Sequence, residues 1–326
     1  MTRFPVPLRE HLGNGKQSVR PSTAVGAGLV SLRRILLLAS VIGAAMVGAF
    51  VGGPPAAATG PCVGTGIHPW KVLWIVMENK NYSDVIGSSA APYENYLSAK
   101  CGLATNYHAI THPSLPNYIA MTSGSTLGIT STCSPNDCSR SAFSIFSQGP
   151  WTKSYEESMP SICYLYNDYP YTPKHNPEVY YSNIRTACKN GGDVPMGTVS
   201  SGRFHNAVIA GKLPRFVFIT PNQCHDTHDC SVATGDDYLK SLIPRIVAGP
   251  DYQAGRLVVF LTWDENHGLP GNRVPMIVMS RRVPPGTRSG TRFSHYSLLR
   301  TTERLLRVPL LRNAQTANSM RVTFGL

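Results

Sequence analysis

Ser114 stands in the run Thr111-His112-Pro113-Ser114-Leu115-Pro116-Asn117-Tyr118, just ahead of the apolar Ile119-Ala120-Met121. A serine at a cap and a proline in the first turn are helix-start signals. By itself this is an ordinary helix N-terminus. The same geometry has a chemical use, because free N–H groups and the positive end of the helix dipole hold an anion such as a phosphoryl group beside the hydroxyl. A cation close by would lower the pKa of that hydroxyl and make it a nucleophile. Three further clusters could supply ligands for the cation. They are Glu78-Asn79, the run from Thr220 to Asp229 that contains His225, Asp226 and His228, and Asp264-Glu265-Asn266-His267. Carboxylate, amide and imidazole together suit a hard or borderline divalent cation, of identity left open. His295, in Phe293-Ser294-His295-Tyr296-Ser297, could contact a leaving oxygen or a metal, or serve only in helix capping.

These clusters need a scaffold that brings them together. Four short apolar runs, 72–77 (VLWIVM), 216–219 (FVFI), 257–262 (LVVFLT) and 274–279 (VPMIVM), read as strands buried on both faces of a parallel sheet. Helices are expected between and after them, at 92–99, 115–123, 237–248 and 295–307. The alternation predicts an α/β sandwich. In such sheets ligands bind beyond the carboxyl ends of the strands. Three of the runs end directly in the Glu78, His225–Asp229 and Asp264 clusters. One acidic pair after a strand is usually a loop or cap, but parallel strands would bring all three clusters to one edge. The stretch 125–200 is rich in Ser, Pro, Tyr and Cys and reads as a disulfide-pinned insertion beside the cleft.

The formal net charge of +12 suits anionic substrates and could suit an anionic membrane surface. Charge alone names no specific nucleic acid partner. Residues 1–58 hold a basic region, an uncharged apolar run at 35–53 and Ala56-Ala57-Ala58. They read as a signal peptide cleaved after Ala58, or as an uncleaved anchor, with 59–326 as the catalytic domain outside the cytoplasm. All eight cysteines lie after the apolar run, which fits export and disulfides. Cys133–Cys138 and Cys224–Cys230 are close enough for local staples. A zinc site built from Cys224, His225, His228 and Cys230 would have to wrap four ligands within seven residues.

In this order, the motifs resemble the bacterial phosphoesterase family of acid phosphatases and phospholipases C, within the alkaline-phosphatase-like superfamily. The landmarks are Glu78-Asn79-x-x-Tyr-Ser-Asp84, Tyr107-His108, Ser114-Leu-Pro-Asn117, the His225–Asp229 segment, Asp264-Glu265, the GNRVPMIVMS run and Ser294-His295-Tyr-Ser297. They span about Lys71 to Arg307. The resemblance implies a three-layer α/β sandwich with a mostly parallel central sheet. It implies one divalent metal held by Glu78, Asn79, Ser114, Asp264 and Glu265, with Ser114 as nucleophile and a phosphoserine intermediate. His108, His225, His228 and His295 would complete the phosphate site. The implied substrate is a small phosphoester or a phospholipid head group. Family phospholipases C often carry Thr as nucleophile and Arg after the Pro-Asn pair. Ser114 and Tyr118 depart from that pattern and favour a smaller, phosphatase-like member. Phospholipase C activity and a non-catalytic exported binding protein are the alternatives. A sulfatase would need an Arg where Tyr118 stands.

Overall fold

The computed structural model describes residues 60–326. The signal or anchor expected within 1–58 lies outside the described residues. In chain order the strands are β1 (Lys71–Met77), β2 (Gly102–Ala104), β3 (Tyr107–His108), β4 (Thr152–Glu156), β5 (Asp193–Pro195), β6 (Phe216–Thr220), β7 (Leu257–Trp263), β8 (Met276–Met279), β9 (Arg288–Ser289) and β10 (Phe293–Ser294). Eight form one sheet in the order β5-β4-β6-β1-β7-β8-β2-β9, while β10 and β3 pair separately.

β1 sits between β6 and β7 and runs parallel to both, with Ile75 level with Ile219 and Leu261. All its residues are buried, which a run of VLWIVM requires. Full burial of each such side chain is worth about 1.5–3 kcal/mol. Alternate residues of a strand point to opposite faces. Trp74 Nε1 donates to Thr302 Oγ1 at 3.0 Å in the His295–Leu306 helix. Met77, on the other face, packs against Gly235 of the Val232–Ala248 helix. Helices therefore cover both faces, and the domain is a three-layer α/β sandwich with a mostly parallel sheet.

Two details differ from the sequence reading. β8 is antiparallel to β7 and to β2. The connection 264–275 contains no helix to carry the chain across the sheet, so the strand returns directly. The stretch 125–200 contributes β4 and β5, both parallel, as well as the disulfide-held wall. Their sequences, TKSYE and DVP, lack the apolar run that marks a strand buried on both faces. The disulfides are Cys62–Cys101, Cys133–Cys138, Cys163–Cys188 and Cys224–Cys230. The last leaves no thiolate for a zinc site at Cys224 and Cys230.

Around β4 and β5, three carboxylates are buried together. Glu156 and Asp193 come from the strands, and Glu178 from the Pro177–Tyr180 turn. Ser154 Oγ donates to Glu178 Oε2 at 2.8 Å, and Asn176 Nδ2 to Asp193 Oδ2 at 2.9 Å. Burial pushes Glu178 up to about 7. Burial first, then repulsion between the acids, pushes Glu156 and Asp193 well above the carboxylate range. These acids hold protons more tightly folded than unfolded. For Glu178 the stability it contributes is full below its ordinary value of 4.5 and is lost as pH rises through about 7. Tm should therefore fall between pH 5 and pH 8, and Glu178→Gln should remove on the order of 3 kcal/mol of that fall. An unchanged slope in the variant would contradict the assignment.

Candidate active site

The register of the sheet builds the site. Met77 pairs with Trp263, so Glu78 and Asp264 leave adjacent parallel strands side by side. Asp264 N donates to Met77 O at 2.9 Å, and Glu78 N donates to Asp226 O at 2.8 Å in the loop after β6. Thr227 Oγ1 donates to Glu78 O at 2.8 Å. That loop packs so closely on the Val232–Ala248 helix that a Cβ on Gly235 would meet Thr227 Cγ2 at 2.3 Å. Asn79 turns the chain away in the left-handed region (φ 47°), which asparagine tolerates, and its N–H donates to Asp264 Oδ1 at 3.2 Å.

Ser114 is the first residue of the ten-residue Ser114–Ser123 helix, with Pro113 rather than Ser114 at the cap. Its hydroxyl is not spent on capping. It donates to Glu78 Oε2 at 3.0 Å, and it lies close enough to Asp264 and Glu265 to lower the pKa of both. Tyr118, one turn on, donates to Glu78 Oε1 at 2.6 Å. Asn117 shapes the approach to Ser114. Its Oδ1 accepts from Ile110 N and Thr111 N, and its Nδ2 donates to Thr111 O and to Glu265 Oε2. Because Asn117 is fully buried, Asn117→Ala would orphan several of these groups. It should cost on the order of 3 kcal/mol in urea unfolding and lower turnover in the folded fraction. A variant as stable as wild type would count against this role.

His175, at the end of the short helical turn Pro173–His175, enters the same cluster from the disulfide-held wall. Its Nε2 lies 3.1 Å from Glu78 Oε1 and its Nδ1 3.1 Å from Asp226 Oδ2, neither aligned as a hydrogen bond. The ring stacks on Tyr118, centroids 5.5 Å apart, and also lies 5.5 Å from His228. Burial holds its pKa well below the usual histidine value. Glu78, His175 and His228 can present ligand atoms within 4.8 Å of one another.

The Phosphoesterase family model matches residues 85–309 of this sequence. The chain belongs to the Phosphoesterase family. It is a hydrolase of phosphoesters. A phosphatidylinositol-3-phosphatase of Mycobacterium tuberculosis is 30% identical over 89% of this chain and 94% of its own length. An acid phosphatase of Aspergillus fumigatus is 27% identical over 72% of this chain, which spans 54% of that protein. A probable acid phosphatase of Kluyveromyces lactis is 28% identical over 70%, and 56% of its length is spanned. A solved alkaline-phosphatase-superfamily protein from Vibrio parahaemolyticus matches the fold with TM-score 0.52 at 8% identity, covering 80% of this chain and 73% of that one.

Within the candidate site, Glu78, Ser114, Asp264 and Glu265 come together, with Asn79 reaching in through its backbone. The four histidines named from the sequence do not form one ring. His228 lies beside His175, with its Nε2 3.1 Å from Lys174 Nζ. His225 turns away to pair with Glu157 at 2.9 Å and to stack on Tyr238 at 4.4 Å. The hydrogen bond to Glu157 raises its pKa. His108 spends both ring nitrogens, on Gly271 O and Asn106 Oδ1. His295 is fully buried between Tyr107 OH (3.0 Å) and Asp264 O (2.6 Å), and so supports the backbone of the acidic pair. His175 was not legible, because the apolar signal that marks strand ends is missing around it.

The donor set fits a divalent cation. Glu78, Asp226, Asp264 and Glu265 are buried together. Burial raises Asp264 to about 6. Burial first, then repulsion from Asp264, raises Glu78 and Asp226 well above the carboxylate range and Glu265 to about 8. Asp264 Oδ2, Asp226 Oδ2 and His175 Nε2 are buried without a hydrogen-bond partner among the described residues. Buried polar atoms are normally satisfied. Three orphans converging in one acidic cluster are what a bound cation would satisfy.

Proposed function

We propose that the chain is an exported, metal-dependent phosphomonoester hydrolase with Ser114 as nucleophile. The observation that carries this reading is the Ser114 hydroxyl, 3.0 Å from Glu78 Oε2 in the first turn of a buried helix and surrounded by Glu78, Asp264 and Glu265. Glu78, Asp226, Asp264, Glu265 and His175 would hold the cation, with Ser114 and Asn79 beside them. When bound, it would offset the carboxylate charge, lower the pKa of the Ser114 hydroxyl and polarise a phosphate oxygen.

The protein groups divide the remaining work. Free N–H groups at the start of the Ser114–Ser123 helix and the Lys174 ammonium hold the non-bridging oxygens. The charge of Lys174 already lowers the pKa of Glu78, Asp226 and Glu265. Ser114 Oγ forms its bond to phosphorus as the bond to the leaving oxygen breaks. The hydroxyl proton passes along its hydrogen bond to Glu78, and His228 protonates the leaving oxygen. Water then attacks the phosphoserine, gives its proton to His228, and Ser114 recovers its own from Glu78 as phosphate departs.

Phosphatase names among the relatives favour monoesters over diesters, and the M. tuberculosis relative makes a lipid-borne monoester a fitting substrate. Export rests on the pattern of residues 1–58 and on the four disulfides, which suit an oxidising compartment. Residues 59–326 are the catalytic domain. The test is hydrolysis of a chromogenic phosphomonoester against its phosphorylcholine diester. Preference for the monoester is expected. Turnover of the diester alone would transfer the reading to phospholipase C, and turnover of neither would favour a binding protein.

A further inference from the structure

The opposite end of the sheet carries a second, strongly basic feature. Trp70 precedes β1, Arg215 precedes β6, and Arg307 ends the helix that begins at His295. They line one cavity of about 730 Å³ together with Arg304 and Arg321. An adjoining cavity of about 500 Å³ shares His68, Arg304 and Arg321 and adds Arg282 and Arg300. Arg321 Nε is buried and has no hydrogen-bond partner among the described residues. Arg304 and Arg307 are exposed. The one acidic side chain in the lining, Glu303, is buried, and its Oε1 accepts from Leu311 N at 3.1 Å. Six arginines thus line two adjoining cavities, together the arginine cleft, separated from the Ser114 cluster by the length of β1, roughly 23 Å at about 3.3 Å per residue.

Large apolar side chains stand exposed at this same end. Ile67 is 53% exposed, Trp70 41% and Val322 93%. Guanidinium groups bind phosphate with two parallel hydrogen bonds. Arginine beside exposed tryptophan and aliphatic residues is the make-up of a surface that lies at a lipid head-group layer. The uncharged run 35–53 stops fifteen residues before His68. Inserted in a bilayer, it would hold this end within about 50 Å of the membrane.

We infer that the arginine cleft is a non-catalytic site for the phosphate groups of anionic phospholipids, and that it seats the amino end of the sheet on the membrane. The inference does not rest on the assignment of Ser114.

The test uses the full chain reconstituted into vesicles of phosphatidylcholine with brominated acyl chains, with and without phosphatidylglycerol. The readout is quenching of Trp70, identified by its loss in Trp70→Phe, since Trp74 and Trp263 are fully buried. Quenching should require phosphatidylglycerol and fall steeply with added salt. Arg304→Gln/Arg307→Gln should weaken seating about thirtyfold, each charge near an anionic surface being worth about 1 kcal/mol. Turnover of a soluble phosphomonoester should be unchanged in that variant. Equal quenching in phosphatidylcholine alone, or insensitivity to salt, would overturn the inference. So would an equal loss in Lys189→Gln/Lys240→Gln, which removes two exposed charges elsewhere. Release of quenching by inorganic phosphate at constant ionic strength would make the cleft a soluble-anion site and overturn its assignment to the membrane.

Discussion

Ser114→Ala should lower turnover of a phosphomonoester by at least about 10⁴-fold while the protein stays folded. Removal of a nucleophile costs this much because the positioned groups around it have nothing left to act on. The fold should tolerate the change. Ser114 stands at the first position of its helix, does not cap it, and gives one hydrogen bond to a carboxylate that Tyr118 also serves. Alanine is a good helix former and removes no packing volume beyond one oxygen. Phosphate should still bind at the helix N-terminus, because the N–H groups and Lys174 remain. A stable variant that binds phosphate without turning over would identify the hydroxyl as the attacking group. Activity within tenfold of wild type would remove Ser114 from the mechanism and leave water as the attacking group.

Chelation should abolish turnover and lower Tm, and a restored divalent ion should recover both. Without a cation, four buried carboxylates face one another, with two oxygens and one imidazole nitrogen unpaired among the described residues. A ligand at a hundred times its Kd stabilises the folded state by about 2.7 kcal/mol. For a domain of this size that is roughly 5–10 °C in Tm. Asp264→Asn separates the electrostatic cause from general damage. In chelator the variant should be more stable than wild type, because it removes from a fully buried position the charge that repels Glu78, Asp226 and Glu265. With the ion added it should gain little, because a ligand has been lost. Measured by calorimetry, the two Tm curves should therefore cross as the ion is titrated. A wild-type Tm unmoved by any divalent ion would refute the cation site.

Much of this protein is determined locally and was legible for that reason. Runs such as VLWIVM and LVVFLT have no stable place except a strand covered on both faces, so β1, β6 and β7 could be named from their residues. The polar residues that follow them had to lie at one edge once the strands were parallel, which brings Glu78, Asp264 and Glu265 together. The Ser114 helix start, with its proline and apolar run, was equally local.

Other features depend on contacts that local pattern does not encode. β4 and β5 are short and polar, and they are strands because β6 offers an open edge on which to hydrogen-bond. The direction of β8 follows from a connection without a helix. Histidine function was the least legible, because an imidazole looks the same in sequence whether it faces a site or supports one. His295 is held between Tyr107 and the Asp264 carbonyl, His108 between Asn106 and Gly271, and His225 by Glu157. His175 reaches Glu78 from a wall pinned by Cys163–Cys188. The sequence by itself determined the strand ends and the chemistry they carry, since burial of apolar runs and hydrogen bonding along parallel strands leave one arrangement. Only the tertiary structure decided which imidazoles meet that edge, because their partners lie up to 188 residues away and are met only when the chain has folded.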